Sequence, residues 1–159
     1  MQWKTWKENF LILQKKKWVN RGDCRLPNVY DEIFNYAKQY IQEKSEYSPT
    51  ILKSTPPNQK FPVILIKQIA DDIYDENLDK TDQRFNLAYD IEIYTVNEGN
   101  IAKQSIANEL MKLINDVFDE HYGMNRKANE EAPNVDTDVY RWYMRFEGKL
   151  DESKRIYRR

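Results

Sequence analysis

Two alternating segments flank one long amphipathic stretch, and that arrangement restricts the chain to a sheet with a helix laid across it. The first segment runs Leu87-Ala88-Tyr89-Asp90-Ile91-Glu92-Ile93-Tyr94-Thr95. The second runs Val139-Tyr140-Arg141-Trp142-Tyr143-Met144-Arg145-Phe146-Glu147-Gly148-Lys149. Side chains on a strand point to opposite faces in turn. Leu87, Tyr89, Ile91 and Ile93 therefore share one face, and Ala88, Asp90, Glu92 and Tyr94 the other. On the second strand Tyr140, Trp142, Met144 and Phe146 oppose Arg141, Tyr143, Arg145 and Glu147. Each strand has an apolar face for a core and a charged face rich in Tyr. The charged face suits water or another protein subunit. On it, Asp90 and Glu92 are placed to pair across strands with Arg141 and Arg145.

Around these strands the periodicity predicts further elements. Trp3, Trp6, Phe10 and Leu13 recur at helical spacing among Lys4, Lys7, Lys15, Lys16 and Lys17, a short amphipathic basic helix that Asn20-Arg21-Gly22-Asp23 ends. Asn28 is a cap for a second helix over 29–44, with Asp31 and Glu32 in its first turn, where the helix dipole favours acids. Its apolar stripe is Val29, Ile33, Phe34, Ala37, Tyr40 and Ile41. A short strand is expected over 50–54 and another over 61–69, where Val63-Ile64-Leu65-Ile66 is apolar on both faces and so reads as interior to the sheet. Residues 70–84 read as a long acidic loop. A helix is predicted from Ile101 to about Tyr122, its stripe formed by Ile106, Leu110, Leu113, Ile114, Val117 and Phe118, with Gly123 as its C′ residue. Residues 124–133 suit a further strand, and 134–138 a turn.

Strands joined by short connections, with helices between, predict the α+β class: a mixed, mainly antiparallel sheet with helices on one face. The expected organisation is an N-terminal amphipathic extension (1–22), one α+β domain (23–152) and an exposed basic tail (153–159). At 159 residues one domain with a real core is the default. An aromatic share of 13% excludes global disorder, and 11 Tyr with 4 Trp exceed what one small core needs, which points to interfaces.

A net charge of -1 gives no global attraction to nucleic acid or anionic membrane. No stretch approaches the roughly 20 apolar residues that span a bilayer. The first residues carry lysines without an apolar run, so they do not read as a secretory signal. Cys24, the one cysteine, cannot form an internal disulfide, and a reducing compartment fits it.

Motifs for chemistry are sparse, and the expectation is no catalytic, cofactor or metal residue. His121 is the one histidine and has no marked nucleophile beside it. One Cys and one His cannot supply a structural zinc site. Asp71, Asp75 and Asp79 offer oxygens, but 70–84 has no glycine, which a calcium loop needs at its centre. No phosphate-binding glycine loop occurs. Glu147-Gly148-Lys149 matches the Glu-x-Lys half of a metal-dependent nuclease motif, which needs an upstream acid such as Asp90 or Asp138 beside it; a charged strand face produces the same spacing without any such role. Arg126, Lys127, Arg141, Arg145, Lys154, Arg155, Arg158 and Arg159 form a basic set among aromatics, a minority nucleic-acid signal diluted by matching acids.

From about Val29 to Asp151 the order of segments resembles one family. Leu87 to Tyr94, a helix from near Ile101, Asn134-Val135-Asp136, and Tyr140 to Asp151 are similar to the small tail-terminator or tail-completion proteins of long-tailed bacteriophages, often labelled minor capsid or neck proteins. The Trp-rich first helix and the acidic loop depart from that pattern. The resemblance implies a mixed sheet with flanking helices, no enzymatic activity and a homo-oligomeric ring, usually a hexamer. That ring sits on the last ring of tail tube protein in the virion, at the head–tail junction, and presents a surface to the head connector. DNA passes its lumen without specific binding, no membrane is involved, and the protein is made in the host cytoplasm. A head-completion protein is the nearest alternative. The residues expected at subunit or partner contacts are Asp71, Asp72, Asp75, Asp90, Glu92, Tyr94, Arg141, Tyr143, Arg145 and Glu147.

Overall fold

A computed structural model describes residues 29–54, 60–70, 73–76, 83–150 and 156–157. The expected first helix, its break, the Asn28 cap, Cys24, Asp71, Asp72, Asp79 and most of the tail lie outside the described residues. Helix α1 (Val29–Lys44) leads into β1 (Thr50–Leu52) and β2 (Val63–Ala70). Strands β3 (Ile73–Glu76) and β4 (Gln83–Thr95) follow, then α2 (Lys103–Asn115), β5 (Asn125–Glu131), β6 (Tyr140–Leu150) and β7 (Ile156–Tyr157). The sheet order is β1-β2-β4-β6-β5, with β3 beside β4 and β7 beside β6. Among the described strands β1–β2 pair in parallel and the other pairs are antiparallel. The α+β class and its mixed, mainly antiparallel sheet are as the sequence predicts.

The inner face follows from the alternation. Leu87, Tyr89, Ile91 and Ile93 are buried, and Met144 and Phe146 join them from β6. Helix α1 lays Val29, Ile33, Phe34, Ala37 and Ile41 on this face, and α2 adds Ile106, Leu110 and Ile114. Each of these side chains larger than Ala37 contributes roughly 1.5–3 kcal/mol through its burial. Aromatic rings run through the centre: Tyr89 lies 5.6 Å from Phe118, and Phe118 lies 5.2 Å from Phe146. Tyr30 Oη donates to the Ile66 carbonyl at 2.8 Å and ties α1 to β2.

Three elements differ from expectation. The acidic segment is not one open loop: β3 pairs with the start of β4, Ile73 opposite Phe85 and Glu76 opposite Gln83. Asp75 therefore sits in a strand, opposite Arg84 in register. The backbone hydrogen bonds of a long hairpin outweigh the polar composition there. Helix α2 gives way to a π-helical segment, Asp116–His121, where the Tyr122 amide donates to the Val117 carbonyl. That widened turn keeps Val117 and Phe118 in the core, and Gly123 then takes the left-handed conformation (φ 67°) expected of it. The tail, expected to be exposed, returns to the sheet at Ile156–Tyr157, opposite Leu150 and Lys149. Ile156 packs on the core beside Gly148. Among the described residues no helix is long and apolar enough to cross a membrane.

Candidate interaction surface on the sheet

The outer face is built from three adjacent strands in register. Lys67, Asp90 and Arg145 form one row across β2, β4 and β6. Leu65, Glu92 and Tyr143 form the next, and Val63, Tyr94 and Arg141 the third. Val63 and Leu65 are buried on this face as Ile64 and Ile66 are on the other, which fits an interior strand.

Asp90 accepts from Arg145 through two bonds, Nε to Oδ1 at 2.8 Å and Nη2 to Oδ2 at 3.1 Å. Tyr143 Oη donates to the same Oδ1 at 2.6 Å. Burial alone would raise the Asp90 carboxyl. The hydrogen bonds from Arg145 and Tyr143 and the charges of Arg145 and Lys67 overcome it, and hold Asp90 below the usual aspartate range.

Glu92 is the hub of the second group and is 8% exposed. It accepts from Lys67 Nζ at 3.1 Å, from Arg141 Nη2 at 2.9 Å and from Tyr94 Oη. Burial again opposes its ionisation, and these partners reverse the sign, so its carboxyl also lies below its ordinary value. Tyr94 pays the converse effect: burial and the neighbouring Glu92 push its phenol up to about 12, against the opposing charge of Arg141. Arg141 lies over the Tyr94 ring at 5.7 Å and Arg145 over the Tyr143 ring at 5.9 Å.

Asp90, Glu92, Tyr94, Arg141, Tyr143 and Arg145 thus form one connected patch, with the cross-strand pairing their spacing predicts. Lys67 belongs to it and was not foreseen. It is the one charged residue of β2 and points outward, and its role depends on strand order, which one sequence does not reveal. Glu147 lies one row further on, opposite Ala88. Glu147 is a diagonal neighbour of Asp90 on this face, but both Asp90 oxygens are held by Arg145 and Tyr143. Asp75, on β3, lies off this patch beside the start of β4. Among the described residues no group of three or more His, Cys, Asp or Glu converges as a metal site.

Chemically, the patch is a set of ionised, mutually committed groups on a rigid sheet. Its carboxylates are held away from proton transfer near neutrality, and its tyrosines are fixed by hydrogen bonds. Such a face offers shape and fixed dipoles to a docking surface. No protein-family model matches the chain, and no curated protein matches it either.

Proposed function

We propose that the chain is a structural virion protein of a long-tailed phage. It forms a ring at the head–tail junction, caps the tail tube and joins it to the head connector. The observation that carries this reading is the outer sheet face: two strands whose sequences resemble the tail-terminator family lie side by side and present a preorganised, Tyr-rich, charge-paired surface. A head-to-tail ring needs two different complementary surfaces on each subunit, and this face supplies one. The Asp90 and Glu92 carboxylates are already paired within the subunit, so docking another protein on the face strands neither, while Arg141 Nε is buried without a hydrogen-bond partner among the described residues. The negative charge of the acidic segment 70–84 suits a contact with a neighbouring subunit or, where it borders the lumen, repulsion of DNA in transit.

Electron microscopy of tails assembled without this protein tests the proposal. Overlong tubes identify a terminator. Normal-length tails without heads identify another neck component, such as a head-completion protein. Normal tails joined to heads overturn the structural role.

A further inference from the structure

The helix layer carries an aromatic seam on its solvent side, between α1 and the π-helical turn. Tyr36 stacks on His121 at 4.2 Å, and Tyr122 meets Tyr36 edge-on at 5.6 Å. Tyr40, one turn along α1, lies 6.1 Å from Tyr36 and donates from Oη to Asp116 Oδ2 at 3.4 Å. Tyr36, Tyr40, Leu113 and Tyr122 pack on the core from outside and stay half-buried, while His121 is exposed. A seam between two helices, floored by apolar rings, is a shape that takes an amphipathic helix. Tyrosine suits such a contact, since its ring buries apolar area while its hydroxyl stays wet.

Acids outnumber cations along this seam. Glu32 and Glu43 flank Tyr36 and Tyr40 on α1, at the four- and three-residue spacings that share a helix face. Asp116 and Glu120 stand on the opposite wall, and all four are exposed. Among the described residues the nearby cations are Lys112, one turn before Asp116, and Lys44, at the end of α1. Arg126 is turned away to Asn115 Oδ1, at 3.1 Å.

We infer that residues 3–17 of the same chain seat in this seam as an amphipathic helix. They lie outside the described residues, and their sequence supplies the complement. Trp3, Trp6, Phe10 and Leu13 recur at helical spacing, and Lys4, Lys7, Lys15, Lys16 and Lys17 stand against one acid, Glu8. Trp3 to Leu13 is about 15 Å of helix at roughly 1.5 Å per residue, and Glu32 to Glu43 is about 17 Å, so stripe and seam agree in length. The connection reaches: residues 18–28 span up to about 36 Å when extended, whereas Tyr40 lies about 17 Å along α1 from Val29. Tethering gives the segment a high effective concentration at its own seam, which favours the same chain over a second copy. The outer sheet face is a poorer seat for these lysines, because Asp90 is held by Arg145 and Tyr143, and Glu92 by Lys67 and Arg141. The inference goes beyond the ring reading and does not depend on it.

The test uses the full chain carrying Cys24→Ser and Asn9→Cys, with a nitroxide on the new cysteine, and reads paramagnetic broadening of backbone amides by NMR. The amides of Tyr36, Tyr40 and Glu120 broaden, and those of Tyr143 and Arg145 on the outer face do not. Lys4→Glu/Lys7→Glu and Glu43→Lys/Glu120→Lys each lower the seated-to-free ratio at least about tenfold, through like charges brought together. The variant carrying all four reversals regains the broadening, and Trp3→Ser/Trp6→Ser loses it. Circular dichroism confirms the fold of every variant. Absent broadening overturns the inference, as does broadening on the outer face, or reversals without effect. Isotope-labelled chain without nitroxide, mixed with unlabelled nitroxide chain, stays sharp; broadening transferred to it would show seating on a second copy and overturn the inference.

Discussion

Removing the Asp90 carboxylate takes three hydrogen bonds from the outer face at once. Asp90→Ala strips Arg145 of its bidentate partner and Tyr143 of its acceptor. A hydrogen bond to a charged group contributes about 1.5–3 kcal/mol when buried, whereas an exposed ion pair contributes about 0–1 kcal/mol. This pair lies between those limits: the side chains of Arg145 and Asp90 are 39% and 19% exposed, so Arg145 rehydrates once its partner has gone. The expected cost of Asp90→Ala is therefore about 1.5 kcal/mol, and of Arg145→Ala about 1 kcal/mol. The double variant should cost about 1.5–2 kcal/mol, a coupling of roughly 0.5–1 kcal/mol. For a chain of this size, 1.5 kcal/mol lowers the melting temperature by about 3–6 °C.

The assay is urea unfolding of the four proteins at several pH values. Asp90 has a folded pKa below its unfolded value. Its contribution is complete above the usual aspartate pKa, about 3.9, and is lost as pH falls through the depressed folded value. The coupling should persist at pH 5 and fade in stronger acid. Strict additivity at pH 7, or a coupling that grows on acidification, would refute the reasoning.

Other expectations follow from the packing and from Tyr94. A Cβ on Gly148 would stand 2.9 Å from Ile156 Cγ2 and 3.2 Å from Met124 Cγ, so Gly148→Ala should cost about 1–3 kcal/mol. Ile156→Ala should cost less in that background than alone, because it removes the clash; equal costs in chemical denaturation would show that β7 does not dock there. Phe118→Ala empties a site with no exposure between Tyr89 and Phe146 and should cost about 3–5 kcal/mol in the same measurement. Tyr94 titrates near 12 when folded and near 10 when unfolded, so its contribution is complete below pH 10 and is lost between 10 and 12. Tyr94→Phe should flatten the fall in stability over that interval; an unchanged slope would show that its phenol is not held by Glu92.

The sequence made some parts of this molecule readable for physical reasons. Alternation in 87–95 and 140–149 specifies which side chains enter the core, because a strand has a period of two. It also places Asp90 within reach of Arg145 once the strands are neighbours. Helix α1 and its end at Lys44 are legible because its stripe and first-turn acids agree. Strand β5, Asn-Arg-Lys-Ala-Asn-Glu-Glu, has no apolar alternation, since it lies exposed at the sheet edge; only its position before a turn suggested it. Strand β3 was hidden by its acidic surroundings, and pairing with β4 defines it. The π-helical turn leaves no mark on periodicity, since Val117 and Phe118 fit an ordinary helical stripe equally well. Lys67 entered the candidate surface through strand order alone.

Addition of the purified chain to polymerising tail tube protein, followed by electron microscopy of the products, tests the central claim most directly. The account predicts one extra ring at a tube end and an arrest of growth there. Tubes that keep growing, or protein bound evenly along their sides, would contradict it.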